Sequence, residues 1–183
     1  MRFIETGIAG LWLTEPEPFT DERGSFTRTF CAGEFAARGL ETDFVQHSRS
    51  ISYRKGTLRG LHYQRSPYGE AKLVSCVAGA IWDVAVDLRS GSESYGRWRA
   101  FELSARNGWQ LYIPVGFAHG FQSLSDGAAT NYLISRAYTP GSARGVRFDD
   151  SDIAIAWPAP VAAINEKDLS WPFLRDSGPA DAP

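Results

Sequence analysis

The chain has 183 residues, the size of one globular domain, and its 43% hydrophobic and 22% charged residues exclude disorder along the whole chain. With 19 basic and 21 acidic residues the formal net charge is −2, so there is no basic excess to hold a nucleic-acid backbone. Glu5 stands where an export signal would be apolar, no apolar run is long enough to cross a bilayer, and two cysteines are too few for a disulfide framework. We therefore expect a single cytoplasmic domain that binds neither nucleic acid nor membrane.

Short β-branched and aromatic runs alternate with turns that contain glycine or proline, and this pattern is typical of an all-β sandwich or barrel. Residues 32–39 form the only predicted helix, with Gly39 as its C-cap. Residues 71–89 alternate between two faces on either side of Gly79, which predicts a β-hairpin. The chain after about residue 174 is rich in proline, glycine and aspartate and is expected to be flexible. Further strands are predicted at 98–103, at 110–114 after the hairpin-favouring pair Asn107-Gly108, and on both sides of residues 125–127.

One histidine completes a spaced motif. Gly108, Pro114, Gly116 and His119 match the pattern G-x5-P-x-G-x2-H. This pattern resembles the second sequence motif of the cupin family of jelly-roll β-barrels. The resemblance implies a jelly-roll fold and a site inside the barrel that includes this histidine.

The first cupin motif, which begins G-x5-H-x-H, is present only in part. Gly56 is followed after five residues by His62, but Gln64 stands where the second histidine would be. In metal-binding cupins that histidine is a ligand, and an amide is a poor ligand for Zn²⁺ or Fe²⁺. We therefore predict no metal, and we expect His62 and His119 to serve acid–base chemistry or anion binding. The alternative is that both are buried histidines with satisfied hydrogen bonds.

Many separated motifs agree in order and spacing with one family. They lie at residues 21–24, 55–64, 71–74, 83–89, 113–121, 138–140, 155–158 and 166–168. Together they resemble the dTDP-4-dehydrorhamnose 3,5-epimerase family over about residues 3–173. The resemblance implies an all-β, cupin-type jelly roll with a few short helices, acting as an isomerase without a cofactor. It also implies a nucleotide-sugar substrate of the dTDP-4-keto-6-deoxyglucose type, inversion at C3 and C5, and a homodimer whose N-terminal strands join the partner's sheet.

Inverting a carbon beside a ketone requires a base, a charge that stabilises the enolate oxygen, and an acid on the opposite face. By resemblance, His62 is the base and Asp168 is the carboxylate that fixes its tautomer. Lys72 matches the cation, Tyr132 the acid, and Tyr138 the aromatic residue that stacks on thymine. Taken singly, each could be an ordinary core or surface residue, but their joint match to one reaction favours catalysis. The remaining matches, to nucleotide or sugar contacts, are Arg23, Gln46, Arg59, His119 and Lys167.

Four substrate-contacting positions depart from the family pattern, and they leave the exact sugar and nucleotide open. Three alternatives to the double epimerase follow. The first is an epimerase of C3 or C5 alone, which nothing in the sequence separates from a double epimerase. The second is a metal-dependent cupin enzyme, and Gln64 argues against it. The third is a sugar-nucleotide-binding protein without turnover, and the presence of His62, Asp168, Lys72 and Tyr132 together argues against that one. The departing residues are Arg28, Ser48, Ala143 and Phe148.

Overall fold

The computed structural model describes residues 1–177, which are folded almost entirely as antiparallel strands. The N-terminal strands are β1 (Arg2–Glu5), β2 (Trp12–Glu15), β3 (Phe19–Asp21), β4 (Gly24–Phe26) and β5 (Gln46–Ser52). The central strands are β6 (Leu58–Gln64), β7 (Lys72–Ala78), β8 (Ala80–Asp87) and β9 (Trp98–Ser104). The last strands are β10 (Gln110–Ile113), β11 (Phe117–Ser123), β12 (Ala128–Ile134) and β13 (Ala143–Gly145).

Two sheets face each other and form a jelly roll. The six-stranded sheet has the order β1-β2-β10-β7-β12-β5, and the five-stranded sheet has the order β13-β6-β11-β8-β9. β3 and β4 form a separate two-stranded hairpin. The all-β prediction is therefore confirmed, and most predicted strands lie where the alternation placed them.

The predicted pairing of consecutive strands is wrong at three turns. The turns at Gly79, at Asn107-Gly108 and at residues 125–127 each join a strand of one sheet to a strand of the other, so none closes a hairpin. β7 pairs with β10 and β12, whereas β8 pairs with β9 and β11. A glycine with positive φ stands in each turn, as at Gly79 (φ 67°), and lets the chain cross over in a few residues. Alternation and turn residues reveal where strands are, but both sheets bury one face in the same core, so these signals do not select the partner.

The main core lies between the two sheets, and a second cluster covers the outer face of the five-stranded sheet. Val84, Val86 and Leu88 alternate with the inward-facing residues of β8 and pack under the C-terminal segment. β8 is therefore buried on both faces. The inter-sheet core consists mainly of Leu13, Val74, Cys76, Ile81, Ala85, Leu103, Leu111, Ile113, Phe117 and Phe121.

The helical segments are short. α1 (Ala32–Ala36) confirms that the predicted helix exists, but the helix is shorter than predicted and its C-cap is Ala37 rather than Gly39. Gly39, with a φ of 67°, lies in the turn that follows, where the chain leaves the helix. α2 (Glu166–Leu169) was not predicted, and two 3₁₀ turns span Pro140–Ser142 and Leu174–Asp176. Within residues 1–177, no helix has the length and apolar character needed to cross a membrane.

Part of the predicted flexible tail packs on the domain. The backbone N–H of Leu174 donates to Asp150 Oδ2 at 2.5 Å, and the Leu174 side chain packs against the outer cluster. The rest of that tail, residues 178–183, lies outside the described residues.

Candidate active site

A cavity of about 400 Å³ opens between the two sheets. Its walls come from β5, β7 and β12 of one sheet and from β6 and β11 of the other, and α2 closes one side. Nine of the ten predicted site residues line it. They are Gln46, Arg59, His62, Lys72, His119, Tyr132, Tyr138, Lys167 and Asp168.

His62 on β6 forms a short hydrogen bond with a carboxylate. Its Nε2 lies 2.6 Å from Oδ1 of Asp168, which is fully buried. The other carboxylate oxygen accepts the backbone N–H of Gly60 at 3.0 Å. Burial would raise the pKa of Asp168, but the hydrogen bond and charge of His62 and the Gly60 N–H outweigh it, so the pKa lies below its usual value. Asp168 is therefore an anion near neutral pH and holds the imidazole with Nε2 protonated.

The carboxylate is held in place by the local structure of α2. Asn165 is the N-cap of this helix, and its Oδ1 accepts the backbone N–H of Asp168 at 2.6 Å. Since the helix has a single turn, this cap and the bonds to Gly60 and His62 fix the position of the carboxylate. The spacing of Asn165 and Asp168 is an N-cap signal that could have predicted this helix from the sequence.

A second histidine–aspartate pair lies beside the first. His119 on β11 is directly opposite His62 in the strand register. Its Nε2 lies 2.8 Å from Oδ1 of Asp83 on β8, and both residues are buried. The imidazole of His119 meets the ring of Tyr132 edge-on, with 6.1 Å between ring centroids. His119 therefore joins the five-stranded sheet to the tyrosine on the facing sheet.

Tyr132 projects from β12 of the six-stranded sheet. Its hydroxyl lies 3.1 Å from Oγ of Ser50 on the neighbouring strand β5. Burial raises the pKa of Tyr132 well above its usual range, although the hydrogen bond with Ser50 acts in the opposite direction. The phenol is therefore protonated at neutral pH and is able to donate. Because Tyr132 and His62 come from opposite sheets, a ligand bound between them would have the Tyr132 phenol on one of its faces and the His62 imidazole on the other.

Two cationic side chains reach the same cavity. Lys72 is the first residue of β7, two residues before the core residue Val74, and its Nζ lies 2.9 Å from Glu70 Oε1. Arg59 Nη2 donates to the carbonyl of Ile51 at 3.1 Å. Residues 59 and 62 would face opposite sides of a regular strand. A register shift between β6 and β11 near these positions accompanies the approach of both to the cavity.

The remaining predicted contacts lie towards the mouth of the cavity. Tyr138 is about half exposed there, and its backbone N–H donates to Gln46 Oε1 at 3.4 Å. Lys167 Nζ lies 5.2 Å above the ring of Trp171, which also lines the cavity. Arg23 is the exception, because it lies in the exposed β3–β4 hairpin, pairs with Asp21 and does not reach this cavity within its own chain.

Sequence reasoning missed several groups of the site. Glu70, Ser50 and Asn165 line the cavity, but only Asn165 carries a local signal. Of the departing positions, Ser48 and Ala143 line the cavity. The other two do not: Arg28 Nη1 pairs with Glu34 at 3.2 Å, and the carbonyl of Phe148 accepts the Trp157 indole N–H.

Comparison with known proteins decides the family. The family described as dTDP-4-dehydrorhamnose 3,5-epimerase matches residues 5–176. This chain belongs to that family. It is therefore an isomerase, a sugar epimerase, and the cupin-type jelly-roll prediction is confirmed together with the family prediction.

Three relatives illustrate the range of the family. A dTDP-4-dehydrorhamnose 3,5-epimerase of Methanothermobacter thermautotrophicus is 47% identical over 180 residues, covering 96% of each chain. The crystal structure of a dTDP-6-deoxy-D-glucose-3,5-epimerase of Legionella pneumophila, in complex with dTDP-4-keto-L-rhamnose, is 39% identical. It superposes with a TM-score of 0.92 and covers 100% of this chain and 98% of that one. A dTDP-4-dehydrorhamnose 3-epimerase of Streptomyces niveus is 39% identical over 182 residues, covering 97% of this chain and 87% of the relative.

Proposed function

We propose that the protein converts dTDP-4-dehydro-6-deoxy-D-glucose to dTDP-4-dehydro-L-rhamnose by inverting C3 and C5, using its own side chains and no metal or cofactor. The observation that carries the proposal is the placement of a histidine–carboxylate pair and a protonated tyrosine on opposite walls of one cavity. An epimerase needs this arrangement, because the proton must leave from one face of the carbon and return to the other.

His62 acts as the base. Since the Asp168 carboxylate can only accept, Nε2 carries the hydrogen of this bond and Nδ1 keeps its lone pair. Nδ1 removes the proton from C3 or C5, and the electrons of the broken C–H bond form the enolate of the C4 ketone. The negative charge on the former ketone oxygen is stabilised by Lys72, with Arg59 as a second cation at the cavity.

Tyr132 returns the proton. Its O–H bond breaks as a new C–H bond forms on the opposite face of the carbon, and the enolate electrons supply that bond while the C4 ketone is restored. The tyrosinate then takes a proton from solvent, and His62 releases its proton to solvent, so the enzyme is unchanged. The same ketone acidifies C3 and C5, so one set of groups serves both carbons.

The nucleotide part of the substrate is proposed to lie towards the mouth. Tyr138 offers an exposed ring for stacking on thymine, while Gln46, Lys167 and His119 supply polar contacts. Arg23 suits a diphosphate because its guanidinium can bind two oxygens at once.

We propose a homodimer in which the N-terminal strands pack on the partner subunit and carry Arg23 to the partner's cavity. Two observations support it. Phe19 and Phe26 on the β3–β4 hairpin are each 72% exposed, which is a large apolar surface for one short hairpin. β1 is also an edge strand, with one side that no strand within residues 1–177 pairs with. We further propose that the dimer works in the cytoplasm, which suits the unpaired thiols of Cys31 and Cys76.

The first alternative is an epimerase that inverts C3 or C5 alone. The Streptomyces niveus relative is named a 3-epimerase, and Ser48 and Ala143 change the cavity wall of this chain. Incubation with dTDP-4-keto-6-deoxyglucose in D₂O, followed by NMR of the product, tests both possibilities. Deuterium and inversion at both carbons support the proposal, whereas a single labelled and inverted carbon supports the alternative.

The same assay tests the other two alternatives. A binding protein without turnover would hold dTDP tightly but incorporate no deuterium. A metal-dependent cupin enzyme would lose activity when a chelator is added. We expect this protein to keep full activity with the chelator, because Nε2 of His62 and Nε2 of His119 each bond to a carboxylate. His62→Ala is expected to lose exchange while still binding dTDP, and exchange at the wild-type rate would remove His62 as the base.

A further inference from the structure

We propose that Gln64 is a positioning residue that holds both the enolate-stabilising Lys72 and the segment that carries Tyr138. This inference rests on the proposed function and deepens it. Gln64 occupies the position where the first cupin motif has its second histidine, and it lies on β6 two residues after His62. Its side chain is buried, and every polar atom of its amide has a partner.

The first arm of this arrangement leads to Lys72. Gln64 Nε2 donates to Glu70 Oε2 at 2.8 Å, and Glu70 Oε1 receives Lys72 Nζ at 2.9 Å. Each carboxylate oxygen of Glu70 therefore has one partner. The side chains of Glu70 and Lys72 are both only 11% exposed, so little water competes for these contacts. Without the amide, Glu70 loses the bond that fixes its rotation, and the ammonium group loses its defined place beside the enolate oxygen.

The second arm leads to the mouth of the cavity. Gln64 Oε1 accepts the backbone N–H of Thr139 at 2.6 Å, and Nε2 donates to the carbonyl of Ala137 at 3.2 Å. These two residues flank Tyr138, whose own backbone N–H reaches Gln46. Among residues 1–177 no strand pairs with this segment, because β12 ends at Ile134. The buried amide therefore holds the backbone on both sides of the stacking residue.

An amide is well suited to this position. It offers an acceptor for Thr139, and its two N–H hydrogens are shared among three acceptors, namely Glu70 Oε2 and the carbonyls of Tyr68 at 3.1 Å and Ala137. A carboxylate would lack the donors and would repel Glu70, and a leucine would fill the space without any of the bonds. The glutamine that interrupts the metal motif is thereby assigned a role in the epimerase site itself.

The test compares Gln64→Leu with a matched control, Gln122→Leu. Gln122 is another fully buried amide, but the side-chain hydrogen bonds it makes in the described part of the chain go to the backbone of Ala159 and Pro160, away from Lys72 and Tyr138. We expect Gln64→Leu to lower kcat by about tenfold, by analogy with the lower end of what losing a hydrogen-bond partner of a metal ligand costs. We also expect it to raise KM several-fold. The control is expected to lower Tm while leaving kcat and KM of the folded enzyme unchanged.

A double-mutant cycle with Glu70→Gln separates the two arms. Glu70→Gln alone should lower kcat with little change in KM. Adding Gln64→Leu to it should cause no further loss of kcat and should still raise KM, because the first arm is already broken. Fully additive losses of kcat, wild-type kinetics in Gln64→Leu, or the same kinetic changes in the Gln122 control would each overturn the proposal.

Two further measurements keep the outcome decisive. If Gln64→Leu does not fold, Gln64→Asn replaces it. An amide one methylene shorter cannot reach both Glu70 and Thr139, so the same changes in kcat and KM are expected.

If the wild-type enzyme incorporates no deuterium, the proposed function fails. The second arm is then decided by the Kd for dTDP, which should be several-fold weaker in the Gln64 variant than in the Gln122 control, and equal values would refute it.

Discussion

Replacing Asp168 by asparagine tests the base directly, because the change keeps the shape of the side chain and removes its charge. In the wild-type chain the two carboxylate oxygens accept two different donors, Nε2–H of His62 at 2.6 Å and the Gly60 N–H at 3.0 Å. An asparagine has one oxygen and cannot satisfy both. If its oxygen meets Gly60, its NH₂ group faces His62 and forces the other tautomer, with the proton on Nδ1.

The expected loss follows from this conflict. In the other tautomer Nδ1 has no lone pair, so His62 cannot take the substrate proton. If the asparagine oxygen instead meets His62, the carboxylate charge is still lost and the buried Gly60 N–H is left facing another donor. We expect kcat for deuterium exchange to fall by about 10²- to 10⁴-fold, the range between loss of a general base and a wrong histidine tautomer.

The assay is NMR of deuterium incorporation at C3 and C5 in D₂O, with dTDP affinity measured in parallel. Glu166→Gln is the control, since Glu166 lies on the same helix, is exposed and is two residues from Asp168. The control should exchange at the wild-type rate, and both variants should bind dTDP as the wild type does. Exchange by Asp168→Asn at close to the wild-type rate would refute the assignment of His62 and Asp168 as a working pair.

Three other changes give separate tests. Tyr132→Phe removes the acid but leaves the base, so we expect the substrate to exchange its α-protons while product formation falls by at least about 100-fold. Product formation is followed by NMR, and an unchanged rate would exclude Tyr132 as the acid. Burial would raise the pKa of Asp87, but hydrogen bonds from Arg89 and Ser94 are among those that lower it to about 2. Its stabilising effect is therefore present above pH 4 and lost as the pH falls towards 2. Asp87→Asn should lower the free energy of unfolding by about 1–2 kcal/mol at pH 7, a value reduced for solvent screening. Urea denaturation should show that the difference in unfolding free energy between wild type and variant shrinks in acid, and a constant difference would contradict the assignment. Leu111→Ala, in the inter-sheet core, should cost about 2–5 kcal/mol in the same assay, and a cost far below this would mean that the site collapses around the smaller residue.

Much of the candidate site could be predicted because its residues belong to spaced motifs. Lys72 and Tyr132 stand on strands whose alternation is visible in the sequence, whereas His62 and His119 were found through the two spaced motifs. All four line the cavity. Glu70 carries no such signal, since it lies in a loop and its importance comes from contacts with Gln64 and Lys72.

Arg23 shows a different limit. Its motif predicts a contact with substrate, yet within one chain it lies on an exposed hairpin away from the cavity. The contact proposed for Arg23 across a dimer would leave no mark in the sequence that distinguishes it from a contact within the chain.

Taken alone, the sequence determined the all-β class, the positions of most strands, the family and the candidate residues for proton transfer, because these depend on local alternation and on residue spacing. Only the tertiary structure decided which strands pair. Gly79, for example, turns the chain from one sheet into the other instead of closing a hairpin. It also decided which groups Gln64 contacts, because the partners of a buried amide are set by segments up to 75 residues away in the chain. Long-range packing of this kind selects among arrangements that look the same locally, and the contacts it creates are the basis of the role proposed for Gln64.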